Sequence, residues 1–117
     1  MAKRKPVSLK RKTARRIVSE YKYRCKTRNV YFGLSEDEVY RLIFKKCAYC
    51  KKPPRNINYR HQIKYNGLDR KDNYKGYTKE NVVTSCAVCN AVKSDLLTYS
   101  EMIQVGRVLS KRTTGRS

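Results

Sequence analysis

Two pairs of cysteines have the spacing of metal ligands. The first pair is Cys47 and Cys50, the second is Cys86 and Cys89, and two residues separate the members of each pair. Each pair can offer two thiolates to one tetrahedral ion, and four thiolates favour zinc. Such pairs also occur as redox-active disulfides, but two of them in one small chain favour a closed structural site. We therefore predict one structural Zn²⁺ ion per chain.

The segment between the two cysteine pairs carries polar residues suited to catalysis. Gly67-Leu68-Asp69-Arg70 is followed by Asn81, and Asn90 and Lys93 come directly after the second pair. This order predicts a strand, a loop, a second strand, a metal knuckle and a helix. Carboxylate and amide oxygens are hard ligands, which suit a divalent ion that stabilises negative charge on a scissile phosphate.

The order of these residues resembles the HNH, or ββα-metal, nuclease family. The resemblance implies that Asp69 and Asn90 bind a catalytic Mg²⁺ ion and that Asn81 braces the loop between the strands. One departure lies at Arg70, where most of the family carries the histidine that activates water. Arginine cannot serve as that base, because it does not lose its proton in proteins.

An Asp-Arg variant of the family, found among rare-cutting restriction enzymes, is similar to this chain from Gly67 to about Lys111. The variant uses a tyrosine in place of the histidine, and the resemblance implies that Tyr40, on the helix before Cys47, has this role. It also implies that Arg28 lies near the position of a histidine in the variant. A phenol can act as a base only if a cation such as Arg70 or the metal stabilises its phenolate. The alternative for Tyr40 is an aromatic side chain packed on the core.

Two other candidate residues have more than one interpretation. His61, the only histidine, is an alternative base, a DNA contact or a surface residue. Lys93 follows Asn90 by one helical turn and either meets a phosphate or is an ordinary solvated side chain. Asp72 and Asn73 could join the metal shell, although turn formation explains them more simply.

The charge of the chain predicts a polyanionic partner. Lysine and arginine total 29 against 9 aspartate and glutamate, a net charge of +20. This favours nucleic acid, and no apolar run is long enough to indicate a membrane protein. The basic N-terminus is followed by no apolar segment, so we predict no secretory signal and a cytoplasmic protein of a bacterial or viral host cell. In such a reducing compartment paired thiols bind metal more often than they form disulfides.

The elements that must position these residues are short. A helix is predicted from Thr13, with Cys25 on its apolar stripe as a small buried hydrophobe. Capping boxes begin further helices at Ser35 and Thr98, and residues 87–94 form another helix. The alternation from Ile57 to Tyr65 predicts a strand. The expected organisation is a basic flexible tail over residues 1–12, a domain over 13–111 and a second tail over 112–117.

These patterns predict an α+β fold, a small zinc-stapled ββα-metal domain with flanking helices. The predicted function is metal-dependent endonuclease cleavage of double-stranded DNA, encoded by a phage or another mobile element, with a homodimer suggested by the resemblance. The rival prediction is a non-catalytic zinc module that binds DNA or RNA, because the usual histidine is missing. The presence of Asp69, Asn81 and Asn90 together favours the enzyme, since zinc folding requires none of these side chains.

Overall fold

Helix α1 covers one side of the protein with an amphipathic stripe. The computed structural model describes residues 7–58 and 62–112, and α1 runs from Leu9 to Arg28. Its predicted apolar stripe is confirmed, because these side chains are all buried: Ala14, Ile17, Val18, Tyr21 and Cys25. The predicted start at Thr13 is wrong, because the Ser8 side chain accepts a hydrogen bond from the Arg11 amide and caps the helix earlier. The part of the expected tail from Leu9 onward is therefore helical.

Helix α2, from Glu36 to Ile43, packs against α1. It begins at the predicted capping box, in which Ser35 and Glu38 each accept a hydrogen bond from the other's backbone amide. Ion pairs from Arg11 and Arg15 to Glu36 join the polar sides of the two helices. The main core lies between α1, α2 and the two strands at residues 67–70 and 82–85, and it contains Ala14, Ile17, Val18, Tyr21, Leu34, Val39, Ile43, Leu68 and Val82.

The segment predicted as one strand is a hairpin instead. Strand β1 runs from Asn56 to Asn58 and pairs antiparallel with β2, from Ile63 to Tyr65. The prediction of one continuous strand is wrong because the chain reverses between these ends, and Gln62 has a φ of 58°, which is left-handed backbone. The predicted candidate His61 lies outside the described residues.

A second hairpin and a short helix form the ββα unit predicted between the cysteine pairs. Strand β3 runs from Gly67 to Arg70, β4 from Val82 to Ser85, and helix α3 from Ala87 to Lys93. The strands are antiparallel, with Asp69 opposite Val83. Successive side chains of a strand point to opposite faces. Leu68 therefore faces the main core while Asp69 faces the cysteine pairs.

Helix α4, from Tyr99 to Ser110, closes a second apolar cluster around the cysteines. It begins at the predicted capping box of Thr98 and Glu101. Gly106 lies against the Tyr49 backbone, where a Cβ would come within 2.6 Å of the Tyr49 carbonyl carbon. The predicted α+β class is confirmed by this arrangement of four helices and two hairpins within the described residues. None of the helices described is both long and apolar enough to span a membrane.

Candidate active site and metal centre

The four predicted cysteine ligands meet at one point. The sulfur atoms of Cys47, Cys50, Cys86 and Cys89 all lie within 4.8 Å of one another, and all four residues are buried. The Sγ atoms of Cys50 and Cys86 are 3.8 Å apart. A regular tetrahedron with Zn–S bonds of about 2.3 Å has sulfur–sulfur edges of about 3.8 Å. The cluster is therefore close enough to hold one metal ion such as zinc.

Local backbone structure aims each cysteine pair at this point. The first pair lies on a turn in which the Cys47 amide donates to the Lys52 carbonyl, and Lys51 takes the left-handed conformation, with a φ of 63°. Cys86 is the N-cap of α3, and its sulfur accepts a hydrogen bond from the Cys89 amide at 3.4 Å. Helix α3 therefore starts inside the second pair, as predicted.

Asp69 is a buried carboxylate beside the cysteine cluster, with 6% of the residue exposed. Its Oδ2 atom accepts a hydrogen bond from the Tyr49 hydroxyl at 2.5 Å, and the ammonium of Lys93 lies 3.5 Å from the same oxygen. Its Oδ1 atom has no hydrogen bond to any described residue. One carboxylate oxygen is therefore held by the protein while the other remains available as a ligand.

Tyr49 was missed by the sequence analysis. It lies between Cys47 and Cys50, is 2% exposed and packs edge-on against Tyr99. Burial, followed by the hydrogen bond to Asp69, raises the pKa of Tyr49 well above its ordinary value. The phenol therefore stays protonated at neutral pH, and its hydroxyl donates a hydrogen bond to the Asp69 carboxylate. The sequence feature that could have indicated Tyr49 is its position between two cysteine ligands, which places it beside the metal site.

Lys93 corrects a prediction, because it is neither solvated nor free to meet a phosphate. It is 1% exposed. Its Nζ atom donates to the Arg70 carbonyl at 2.9 Å and to the Asn73 Oδ1 atom at 3.3 Å, in addition to its ion pair with Asp69. A buried ammonium needs such partners, and the turn of the chain after β3 supplies them. Lys93 therefore joins α3 to β3.

The two predicted asparagines have different surroundings. Asn90 is an exposed residue of α3, three positions before Lys93 and therefore on a similar side of that helix. Asn81 is buried and bonds across the β3–β4 loop: its Nδ2 atom donates to the carbonyls of Asp72 and Gly76, and its Oδ1 atom accepts from the Asp72 amide. These three bonds hold the loop that follows Asp69 and Arg70.

Arg70 points away from Asp69, as the alternation of a strand requires. Its guanidinium donates to the carbonyls of Asn73 and Lys75 and lies 5.1 Å from the ring centre of Tyr77. A small cavity on that side is lined by Arg70 together with Arg24 and Arg28 at the end of α1. No described acidic side chain forms an ion pair with any of the three arginines.

Cys25 lies in the wall of this arginine cavity. Burial raises the pKa of its thiol, and the positive charges of Arg70, Arg24 and Arg28 oppose that rise. Cys25 is 4% exposed, which agrees with its prediction as a buried small residue.

Tyr40, the predicted replacement for the histidine, is half-buried on α2. Its ring lies 4.2 Å from the Arg11 guanidinium and 5.4 Å from the centre of the Phe44 ring. Among the described residues, the tyrosine hydroxyl that reaches Asp69 belongs to Tyr49 and not to Tyr40. The structure thus brings Asp69, Tyr49 and Lys93 together and leaves Tyr40 packed beside α1.

Comparison with known proteins finds a similar structure and a similar sequence. The structure is that of the rare-cutting HNH restriction endonuclease PacI, with a TM-score of 0.74 and 20% identity over 92% of this chain and 89% of that one. The sequence is an uncharacterized protein of Acanthamoeba polyphaga mimivirus, 37% identical over 65 residues. That match covers 56% of this chain but only 11% of the mimivirus protein. No protein-family model matches the chain. This chain therefore has the fold of the HNH family, with a four-cysteine cluster that fits a zinc site.

Proposed function

We propose that this protein is a metal-dependent endonuclease that hydrolyses phosphodiester bonds in double-stranded DNA. The observation that carries the proposal is Asp69, a buried carboxylate in a ββα unit of HNH fold whose Oδ1 atom has no partner among the residues that the structure describes. The four cysteines are enough to complete a tetrahedral site, so a zinc ion there would need no ligand from Asp69.

Asp69 and Asn90 are the proposed ligands of a Mg²⁺ or similar ion. Both offer oxygen atoms, which this class of ion prefers. Asn90 is exposed on α3, and α3 is fixed to β3 through the ion pair of Lys93 with Asp69. When bound, the ion supplies positive charge that stabilises the phosphate and the leaving oxygen during hydrolysis.

The surrounding residues hold the Asp69 carboxylate in one orientation. Tyr49 and Lys93 both contact its Oδ2 atom, which leaves Oδ1 as the oxygen proposed to bind the ion. Asn81 holds the adjoining loop in one conformation through its three hydrogen bonds. This preorganisation means that the site need not rearrange when the substrate binds.

Arg24, Arg28 and Arg70 are proposed to bind the phosphate backbone of the substrate on the face of β3 opposite Asp69. These residues line one small cavity and have no acidic partner among the described residues. Arginine suits this role because its planar group can donate two parallel hydrogen bonds to a phosphate. The Arg70 side chain is also braced by two loop carbonyls, which fixes its direction.

Tyr40 is the proposed replacement for the missing histidine, as the resemblance implies. Tyr49 does not suit that role, because it donates a hydrogen bond to Asp69 and its raised pKa keeps the phenol protonated at neutral pH. The two roles separate experimentally: Tyr40→Phe should abolish most cleavage, whereas Tyr49→Phe should only weaken it by loosening the orientation of Asp69. A Tyr40→Phe variant that cuts as fast as wild type would reject Tyr40 as the base.

Incubation of supercoiled plasmid with the purified, zinc-saturated protein tests the proposed function. With Mg²⁺ we expect nicked or linear DNA, and with a chelator that removes Mg²⁺ but leaves zinc bound we expect none. Failure to cut a varied set of DNA substrates in Mg²⁺ or Mn²⁺ would refute the nuclease. Gel mobility and sedimentation on the same DNA report binding and whether two copies pair, as the resemblance suggests.

A non-catalytic zinc module that binds DNA or RNA is the second candidate. The Lys93–Asp69 ion pair favours it, because a buried ammonium already compensates the carboxylate that the nuclease would use for a metal ion. This candidate predicts tight binding of nucleic acid without cleavage and no effect of Asp69→Asn on that binding. The plasmid experiment separates the two functions.

A further inference from the structure

An open basic groove lies where three segments of the chain converge, away from the arginine cavity. Its walls come from the segment that follows the first cysteine turn, from the β1–β2 hairpin and from the segment after α4, and its volume is about 740 Å³. The residues that line it are Lys52, Pro53, Pro54, Arg55, Ile57, Lys64 and Arg112. We call this surface the hairpin groove.

The hairpin groove contains four cationic side chains and no acidic one. Lys52, Arg55, Lys64 and Arg112 form no ion pair with any acidic side chain in the described part of the chain. The sequence explains this. None of the nine acidic residues lies between Glu38 and Asp69 or after Glu101. Positive charge on this face is therefore not neutralised by neighbouring carboxylates, and it can attract a bound anion at full strength.

The groove is also held in shape. Two consecutive prolines fix the backbone direction after the cysteine turn. The hairpin register sets Lys64 opposite Ile57, and the Lys52 ammonium donates to the Arg112 carbonyl at 2.5 Å. The cationic groups are thus presented by braced backbone in a groove that Ile57 also lines. Braced cations lose less entropy on binding than those on a free tail.

We propose that the hairpin groove binds a second stretch of the phosphodiester backbone of nucleic acid, separate from the phosphate at Asp69. The argument is charge complementarity: four cations with no acidic partner in the described part of the chain line an open groove, and they match a regular array of phosphates. This inference rests on the proposed nucleic-acid substrate, but it does not depend on catalysis. It predicts affinity that is uniform across base sequences, because backbone contacts carry no direct sequence information.

The test compares duplex DNA binding by wild type and by Arg55→Ala/Lys64→Ala, both exposed positions, over a range of salt concentrations. The loss of two phosphate contacts should reduce the slope of log affinity against log salt by about 2, at about 0.9 for each contact. Zinc content and thermal unfolding check that the double variant is folded. The matched control is Arg41→Ala/Lys79→Ala, which removes the same charges beside Glu38, an acidic residue both of them influence.

We expect weaker binding and a smaller slope for the groove variant and a near wild-type slope for the control. Equal slopes for the groove variant and wild type would overturn the inference, as would equal losses for the two double variants. Loss of poly-glutamate binding with unchanged DNA binding would assign the groove to an acidic protein and also overturn it. The same comparison in proteins that also carry Asp69→Asn separates DNA binding by the groove from catalysis. A smaller slope for the groove variant in that background supports the groove even if no variant cuts DNA.

Discussion

Replacing Lys93 with methionine would leave the Asp69 carboxylate buried without its cation. Methionine keeps much of the length of the side chain but removes the charge and all three of its polar contacts, to Asp69, Arg70 and Asn73. The Tyr49 hydroxyl would remain as the partner of Asp69. The pair is nearly shielded from solvent, with side chains 1% and 7% exposed, so water can replace little of the lost interaction.

The expected cost is large for a chain of this size. Breaking a buried ion pair from one side costs about 3–5 kcal/mol, and the 3.5 Å separation here places the expected loss at about 3 kcal/mol. Asp69→Asn should also lower the free energy of unfolding, because it leaves the Lys93 ammonium buried. The double variant should lose less than the sum of the two single losses, by about 1–3 kcal/mol.

Urea unfolding of the zinc-saturated proteins, followed by circular dichroism at one fixed zinc concentration, measures these free energies. Lys79→Met is the control, since that exposed lysine should change the free energy of unfolding by about 0.5 kcal/mol or less. If the two single losses simply add, within about 0.5 kcal/mol, then Lys93 and Asp69 do not interact and the proposed orientation of the carboxylate is refuted.

Three further results are expected. Removal of zinc by a strong chelator should unfold the domain, seen as loss of far-ultraviolet circular dichroism; a protein that kept its fold would contradict the four-cysteine site. Gly106→Ala should lower the melting temperature and displace Tyr49, because a Cβ would overlap the Tyr49 carbonyl; an unchanged melting temperature would show that this contact is not tight. Ser35→Ala should cost about 1 kcal/mol at neutral pH through loss of the α2 cap. Hydrogen bonds from Ser35 lower the pKa of Glu38, so this carboxylate contributes above its unfolded pKa and ceases to contribute as pH falls through its folded pKa. The difference between Ser35→Ala and wild type should therefore shrink in acid, and a difference that grows in acid would refute this coupling.

The helices and the cysteine cluster were readable from sequence because their signals are local. Capping boxes at Ser35 and Thr98 involve residues three positions apart, and the apolar stripe of α1 repeats with the helical period. The paired cysteines likewise carry their meaning in their spacing. These patterns depend little on the rest of the fold. The structure therefore contains the predicted helices and the cysteine cluster, and it differs from the prediction at helix ends, as at the start of α1.

The site contacts were not readable, because they join distant residues against the usual behaviour of their types. Tyr49 reaches Asp69 across 20 positions of sequence, and no periodicity indicates it. Lysines are almost never fully buried, so the residue type alone predicts an exposed side chain at Lys93, whereas the structure buries it. The reversal between β1 and β2 was hidden because apolar alternation continues on both sides of it.

The rate at which zinc-saturated protein converts supercoiled plasmid to nicked circles, measured as Mg²⁺ is titrated, tests the central claim most directly when wild type is compared with Asp69→Asn. We predict Mg²⁺-dependent nicking by wild type and loss of nearly all nicking in the variant, with DNA binding and zinc content unchanged. Equal nicking by the two proteins at every Mg²⁺ concentration would contradict the assignment of Asp69 as the metal-binding carboxylate.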